Sequence, residues 1–439
     1  MDLRSLVDRA DALGWVKTVT RPVSAELEMA NVANALAGRI VRFESILGHA
    51  GWRVVTGVCA DRRYFALSLG LPRERLRDQM VAGIRNPQTP PRVERAPCHE
   101  VVEPRVDLNE LPILRHLPTD AGPYVTAAAI IVFDPQDGPN VAFHRLLQLN
   151  RHQFAARLVE NRGTYVAWQR CKGDLPCAIC VGLPLQVSLA AAMSPAAGLD
   201  ELAIANVLSV TPVVNCHTNH LWVPAEAELV MEGRITKNLA REGPFPDLTG
   251  TMDGVREQPV IEIDRITHRR DPIYHALLPG GLEHKLLMGM PREPTIFAEV
   301  NRVAECRDVL VTPGGGSWLH AVVQIAKRGP EDGRQAVLAA FRGHGSLKHV
   351  VVVDADVDIH DPQQVEWAIA TRFQADQDLI TLFDQPGSSL DPSGRQQPGQ
   401  KALTSKMGLD ATVPWQVDPN AFQRVQYGPV ELDLYLDRT

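Results

Sequence analysis

The segment Glu242-Gly243-Pro244-Phe245-Pro246-Asp247 sets two carboxylates five residues apart across two prolines and a glycine. No helix runs through it, because proline lacks an N–H and fixes φ. The acids therefore sit on a stiff loop, which places an acid and a base with little entropy left to lose at the reactive geometry. Taken alone, the string is equally a surface turn with two solvated acids. Arg145 changes that balance if it comes close. It falls inside an expected strand with Phe143 and Leu147 on its face, and an arginine there needs a carboxylate or phosphate partner. At about 4 Å and an effective dielectric near 20, one ion pair is worth about 4 kcal/mol, enough to move a titration by about 3 pH units. One arginine can thus hold one acid ionised while the other, crowded by that charge, keeps a proton for delivery to a carbanion.

Other strings carry less chemistry. Asp354-Ala355-Asp356-Val357-Asp358 begins like a calcium loop, but Ile359 stands where such a loop needs glycine and Val365 where it needs glutamate. His217 and His220 have metal-pair spacing only on a helix, and their Val and Cys neighbours favour a strand or turn. Gly314-Gly315-Gly316 lacks the Lys-Ser or Lys-Thr of a phosphate loop and does not spell a dinucleotide fingerprint. There is no Gly-x-Ser-x-Gly elbow. Cys177 and Cys180 form a CxxC inside an apolar run that reads as a buried strand, and no second CxxC follows at zinc-ribbon spacing.

The elements that must position these residues fall into three groups. Up to about residue 110, helical patterns alternate with short strands, and Asn86 to Pro91 is a linker-like break. Leu3, Leu6, Val7, Ala10 and Leu13 have the spacing of an amphipathic helix that stops near Gly14. From Tyr124 the texture turns to strands: Val125 to Phe133, a turn at Asp134 to Pro139, and a return from Val141 to Leu149, the pattern of a hairpin. Ala178 to Val181, Val207 to Val214 and Val260 to Ile266 extend a central antiparallel or barrel-like β domain to about residue 300. In the last third, His349 to Val353 is a strand and Asp361-Pro362 caps a helix through Val365, Ala368, Ile369 and Phe373. This unit predicts an α/β domain with a buried parallel sheet. Asp384 to Lys401, rich in Gly, Pro, Ser and Gln, predicts a loop.

A chain of 439 residues exceeds what one core usually organises. With 45% hydrophobic and 22% charged residues it is of globular composition, and a net charge of -7 gives no general reason to bind nucleic acid or an anionic membrane. The N-terminus does not read as a signal peptide, and apolar runs are about half the roughly 20 residues of a membrane span. Seven scattered cysteines suit a reducing compartment. A soluble, cytoplasmic protein is expected.

Several separated strings together resemble the UbiD family of reversible decarboxylases from about residue 105 to 412. They are Asn140-Val141-Ala142-Phe143-His144-Arg145, Arg157-Leu158-Val159 with Arg162-Gly163, Gly198 to Glu201, Val223 to Glu228, Glu242 to Asp247, Trp367 to Arg372 and Ser405 to Thr412. The resemblance implies a mixed α/β subunit in three parts: an N-terminal α/β domain (1–110), a central split β-barrel related to flavin reductases (111–300), and a C-terminal α/β oligomerisation domain (301–439). It implies prenylated FMN, its phosphate held partly through a divalent metal, usually manganese, and a potassium ion. A flavin prenyltransferase would supply the cofactor, and the subunit would form a homodimer or higher homo-oligomer.

By the same resemblance Asn140 and Glu201 are metal ligands. Phe143, His144, Arg145, Arg157, Leu158, Val159, Arg162 and Gly163 are cofactor contacts, and Lys406 reaches the phosphate. Some members carry a histidine ligand near Arg162-Gly163 that this chain lacks. Arg145, Glu242 and Asp247 match the family's Glu-Arg-Asp network, with Asp247 as proton donor, Arg145 orienting the substrate carboxylate and Glu242 holding Arg145. His284 and Arg292 resemble residues that address a second carboxylate in furan and pyrrole acid decarboxylases, which implies a small-molecule acid with a second anionic or polar group. A carboxylating subunit, a non-catalytic flavin carrier and an ordinary flavin or nicotinamide reductase are the alternatives. Retention of both acids speaks against the carrier, and the missing dinucleotide fingerprint against the reductase.

Overall fold

The computed structural model describes residues 1–395, 402–425, 427–431 and 435. Its first helix, Leu3–Ala12, buries Leu3, Leu6, Val7 and Ala10 on one face and takes Asp2 as its N-cap, as the apolar spacing predicts. The strands Val16–Val19, Ile40–Phe43 and Arg53–Thr56 form a sheet whose fourth member, Ile273–His275, comes from far along the chain and pairs parallel with Arg53–Val55. The short strands Arg92–Val93 and Val101–Val102 pair with Val213–Asn215 and with the long strand Arg256–His268.

The centre is a nine-stranded sheet, antiparallel in every pairing. The expected hairpin is present as Ala129–Asp134 against Gly138–Phe143, while Val125 belongs to a separate short strand, Tyr124–Val125. Both faces of the sheet are buried. Along Leu175–Val181, Cys177, Ile179 and Val181 enter one core and Ala178 and Cys180 the other. Because side chains alternate along a strand, the two cysteines of the CxxC face opposite cores and cannot chelate one metal.

Three expectations are corrected. Val207 to Val214 is not one strand: the helix Glu201–Leu208 runs into it, and only Val213–Asn215 is extended. Its Ala, Ile, Leu and Val content suits a helix buried on most sides as well as a strand. Arg145 does not lie inside a strand but in the break between Gly138–Phe143 and Leu146–Gln148. The C-terminal sheet is mixed: His320–Ala326, His349–Asp354 and Leu403–Asp410 run parallel, and antiparallel strands, Glu305–Val311 and Leu379–Pro386, close both edges.

Asp361 caps the helix Pro362–Arg372 as expected. Arg372 is buried against Asp354 and Asp356, which accounts for those acids without calcium. Asp384 to Pro386 finish a strand, 387–395 form turns, and 396–401 of the expected loop lie outside the described residues. No helix among the described residues is long and apolar enough to cross a membrane.

Candidate active site

Arg145 sits where the chain leaves one sheet strand and has not begun the next, so its side chain is free of the alternation and reaches into a nest of acids. Its Nε and Nη2 donate to the two oxygens of Glu242 at 2.8 and 3.0 Å. Nη1 reaches Asp247 at 3.1 Å, and Nη2 also reaches Asp253 at 2.9 Å. Burial works against the guanidinium's charge, but the bond to Glu242 and the charges of all three carboxylates outweigh it and hold Arg145 above the ordinary arginine value.

Glu242 ends the long strand Leu229–Glu242 and is fully buried. Tyr124 donates to it at 3.1 Å, accepts from the N–H of Gly243, and lays its ring 3.9 Å from that of Phe245. Gly243 has φ +89, and a side chain there would meet the carbonyl of Gly254 at 2.6 Å, so only glycine turns the chain at this point. Phe245–Pro246 then pairs with Met252–Asp253. Asp247 lies in the tight turn, its N–H donating to Thr251 O and its carbonyl accepting from Gly250 N. Its side chain is 23% exposed, against none for Glu242.

His284, on the helix Leu282–Gly289, accepts at Nδ1 from the N–H of Gly280 at 3.0 Å, so its neutral ring carries the proton on Nε2. Burial lowers its pKa, with Arg145 adding and Asp247 opposing, which places the ring in the field of that ion pair.

A second group forms around the hairpin. Asn140 donates to Glu201 at 3.2 Å and accepts from Thr164, while Glu201's other oxygen takes the N–H of Val141. His144 bridges Arg157 O and Thr164 Oγ1 and is pushed by burial down to about 4. Glu201 has neutral partners only and is pushed by burial up to about 8. Gly163 opens the helix Gly163–Arg170, and a Cβ there would stand 2.7 Å from Asn140.

A third group gathers positive charge. Arg292, 9% exposed, donates from Nη2 to Ala192 O and lies 5.1 Å over Trp318; its Nε finds no partner, and no carboxylate among the described residues pairs with it. Burial, with Arg162 adding, lowers it to about 10. His344, its ring edge-on to Trp318, is lowered to about 3 by burial and by the charges of Arg292, Lys406 and Arg162. Lys406 donates to Gly345 O at 2.7 Å.

Arg157 stands apart, engaged with Glu160 and Leu158 O. Leu158 is buried and Val159 exposed, while Phe143 is half-buried against the core that Ala178 and Cys180 enter. His217 and His220 lie in a turn against His99 and Phe133, and no cluster of three His, Cys, Asp or Glu among the described residues could hold a metal. Asp253, Tyr124, Thr164 and His344 are the residues that sequence reasoning missed. For Asp253 a signal exists: Leu248-Thr249-Gly250 is turn-forming and folds the chain back beside Phe245.

Sequence-family profiles cover most of the chain. The UbiD N-terminal, Rift-related and C-terminal domains, each described as part of 3-octaprenyl-4-hydroxybenzoate carboxy-lyase, match residues 7–83, 91–282 and 285–411. The chain belongs to the UbiD family. Among curated UbiD relatives, the anhydromevalonate phosphate decarboxylase of Methanosarcina mazei is 41% identical over 94% of this chain and 96% of its own length. Among solved UbiD structures, HmfF from Pelotomaculum thermopropionicum in complex with FMN is 35% identical, covers 99% of this chain and 100% of its own, and has a TM-score of 0.94. An evolved dimeric form of HmfF, in complex with prFMN, covers the same shares at 33% identity and a TM-score of 0.90. With decarboxylases as its relatives and a carboxy-lyase family as its own, this UbiD chain is a carboxy-lyase.

Proposed function

We propose that the protein decarboxylates an α,β-unsaturated carboxylic acid bearing a second anionic group, a phosphorylated acid in the first place, with prenylated FMN as cofactor. The observation that carries the substrate is Arg292, a buried cation with no acidic partner among the described residues. It ends the helical turn Met290–Arg292, which continues the helix Leu282–Gly289 that carries His284, and the charge of Asp247 acts on His284. A buried cation without a counter-ion is costly, and an anionic ligand removes the cost. The M. mazei relative, named for a phosphorylated acid, supports phosphate as that anion.

The residues fit the flavin. Arg162 and Lys406 add positive charge around His344, as a phosphate requires. Glu201, buried with neutral donors only, lacks a cation; Asn140 and Glu201 would supply two ligands to a divalent metal, manganese by family habit, with a potassium ion nearby. Two side chains alone do not complete the shell of a divalent metal. When bound, the prenylated flavin supplies the electron sink for the pair left behind as CO2 departs. Arg145 orients the substrate carboxylate, and Glu242 fixes Arg145 through two hydrogen bonds. Asp247 gives its proton to the carbon that has lost CO2 and recovers one from water through its exposed edge. A flavin prenyltransferase as cofactor supplier and a homodimer or higher homo-oligomer complete this picture.

The test is CO2 release by protein co-produced with a flavin prenyltransferase, its flavin identified by mass spectrometry and absorbance. Phosphorylated unsaturated acids should be turned over ahead of uncharged cinnamate-like acids. Better turnover of the uncharged acids than of any diacid or phosphorylated acid overturns the substrate assignment.

A further inference from the structure

Asp253 was not among the expected residues, yet it is the third carboxylate on Arg145. Its Oδ2 meets Arg145 at 2.9 Å, and its Oδ1 meets Arg256 at 2.6 Å. The side chain is 13% exposed. Burial alone would disfavour its charge, but the bond to Arg256 and the charges of both arginines hold its carboxyl below the usual carboxylate range. It therefore remains an anion. Glu242 is fully buried and takes two hydrogen bonds from Arg145.

Three carboxyl groups thus share two guanidiniums. Asp247 has the weakest claim on a cation, a single contact at 3.1 Å that is the longest of the three made to Arg145. It is also the most exposed of the three acids. The groups facing Asp247 are Arg145, Glu242 and Asp253, with Arg256 behind Asp253, Tyr124 behind Glu242, and His284 on the neighbouring helix. Asp253 also holds the loop itself. Phe245 pairs with Asp253 across the two-stranded ribbon, and Asp247 lies in the turn between them.

Resting on the proposed role of Asp247 as proton donor, we propose that Asp253 is a positioning residue: by occupying Arg145 and pinning the 245–253 ribbon, it leaves Asp247 as the acid that carries the transferable proton. In the step it serves, the bond to the carboxyl carbon breaks and its electron pair stays on the substrate carbon. The Asp247 O–H bond breaks as the new C–H bond forms, and the aspartate left behind is reprotonated from water.

The experiment compares wild type, Asp253→Asn and Asp253→Glu as flavin-loaded enzymes, with the pH dependence of kcat for CO2 release as first readout. Hydrogen–deuterium exchange across residues 245–253 of the same proteins is the second. Removing one like charge within several ångströms lets the donor ionise more easily. The alkaline limb of kcat in Asp253→Asn should therefore move down by about one pH unit, with kcat near neutrality falling about 10-fold and KM changing less than about 2-fold. Exchange in the ribbon should rise, and Asp253→Glu should restore most of both. An unshifted limb overturns the proposal whatever the exchange shows. Full turnover by Asp247→Asn sinks the donor assignment itself, and this inference with it, so the two failures are told apart.

Discussion

Arg145 is charged and nearly enclosed, a placement that costs several kcal/mol unless carboxylates surround it. Its partners are therefore as exposed to its loss as it is to theirs. Arg145→Ala should leave Glu242 as a buried anion without a counter-ion and destabilise the protein by about 3–5 kcal/mol, read by denaturant unfolding. Arg145→Lys keeps the charge but not the two-pronged grip; it should fold, bind flavin and lose most turnover. Asp247→Asn should keep the flavin and stop CO2 release by removing the proton to be delivered. Arg292→Gln should raise KM for a phosphorylated acid by about 10-fold or more, the scale of one lost charge-assisted hydrogen bond, with uncharged acids little affected. An unchanged KM would detach Arg292 from the substrate. At this scale the sequence was legible wherever chemistry and stiffness coincided. Arg145, Glu242 and Asp247 announce themselves through prolines and an arginine in apolar company, and the structure brings them together. Asp253 and Tyr124 do not, since their importance comes only from which neighbours the ribbon and the sheet deliver.

Elements were read well where periodicity was unambiguous, as in the first helix and the Asp361-capped helix. They were misread where apolar content is high on all sides. Leu202, Ala203, Ile204, Ala205 and Leu208 are buried in one helix, so neither a period of two nor an amphipathic stripe marks it off from the strand beyond. One glycine position shows how tightly elements meet at the site. Gly163 begins its helix against Asn140, and Gly163→Ala would drive a methyl into that side chain. On the proposed role of Asn140 as a metal ligand, the affinity for manganese, measured on the flavin-loaded protein, should fall about 10-fold or more, the usual cost of disturbing a ligand's support. The cap at Asp361 is a plainer case: Asp361→Ala should cost about 1 kcal/mol in denaturant unfolding and leave turnover untouched.

At the scale of the whole molecule, burial holds histidines uncharged, among them His116 and His344, lowered to about 3, and His144 and His320, lowered to about 4. Each takes up a proton more readily when unfolded, near pH 6.5. Between that value and their folded values the unfolded chain binds more protons, so stability falls as pH drops from about 6.5 toward 4. A thermal midpoint that stays level from pH 7 to pH 4.5 would contradict this. What sequence could not show is that Ile273–His275 returns to complete the first sheet beside Arg53–Val55. Composition carries no record of partners more than two hundred residues away. That strand has a consequence for synthesis: at about 5–20 residues per second, the ribosome needs roughly 10–45 s after making the third strand before the fourth exists. Through that interval the nascent chain carries an open sheet edge of Val54 and Val55, the kind of surface that recruits chaperones or pairs with a neighbouring chain.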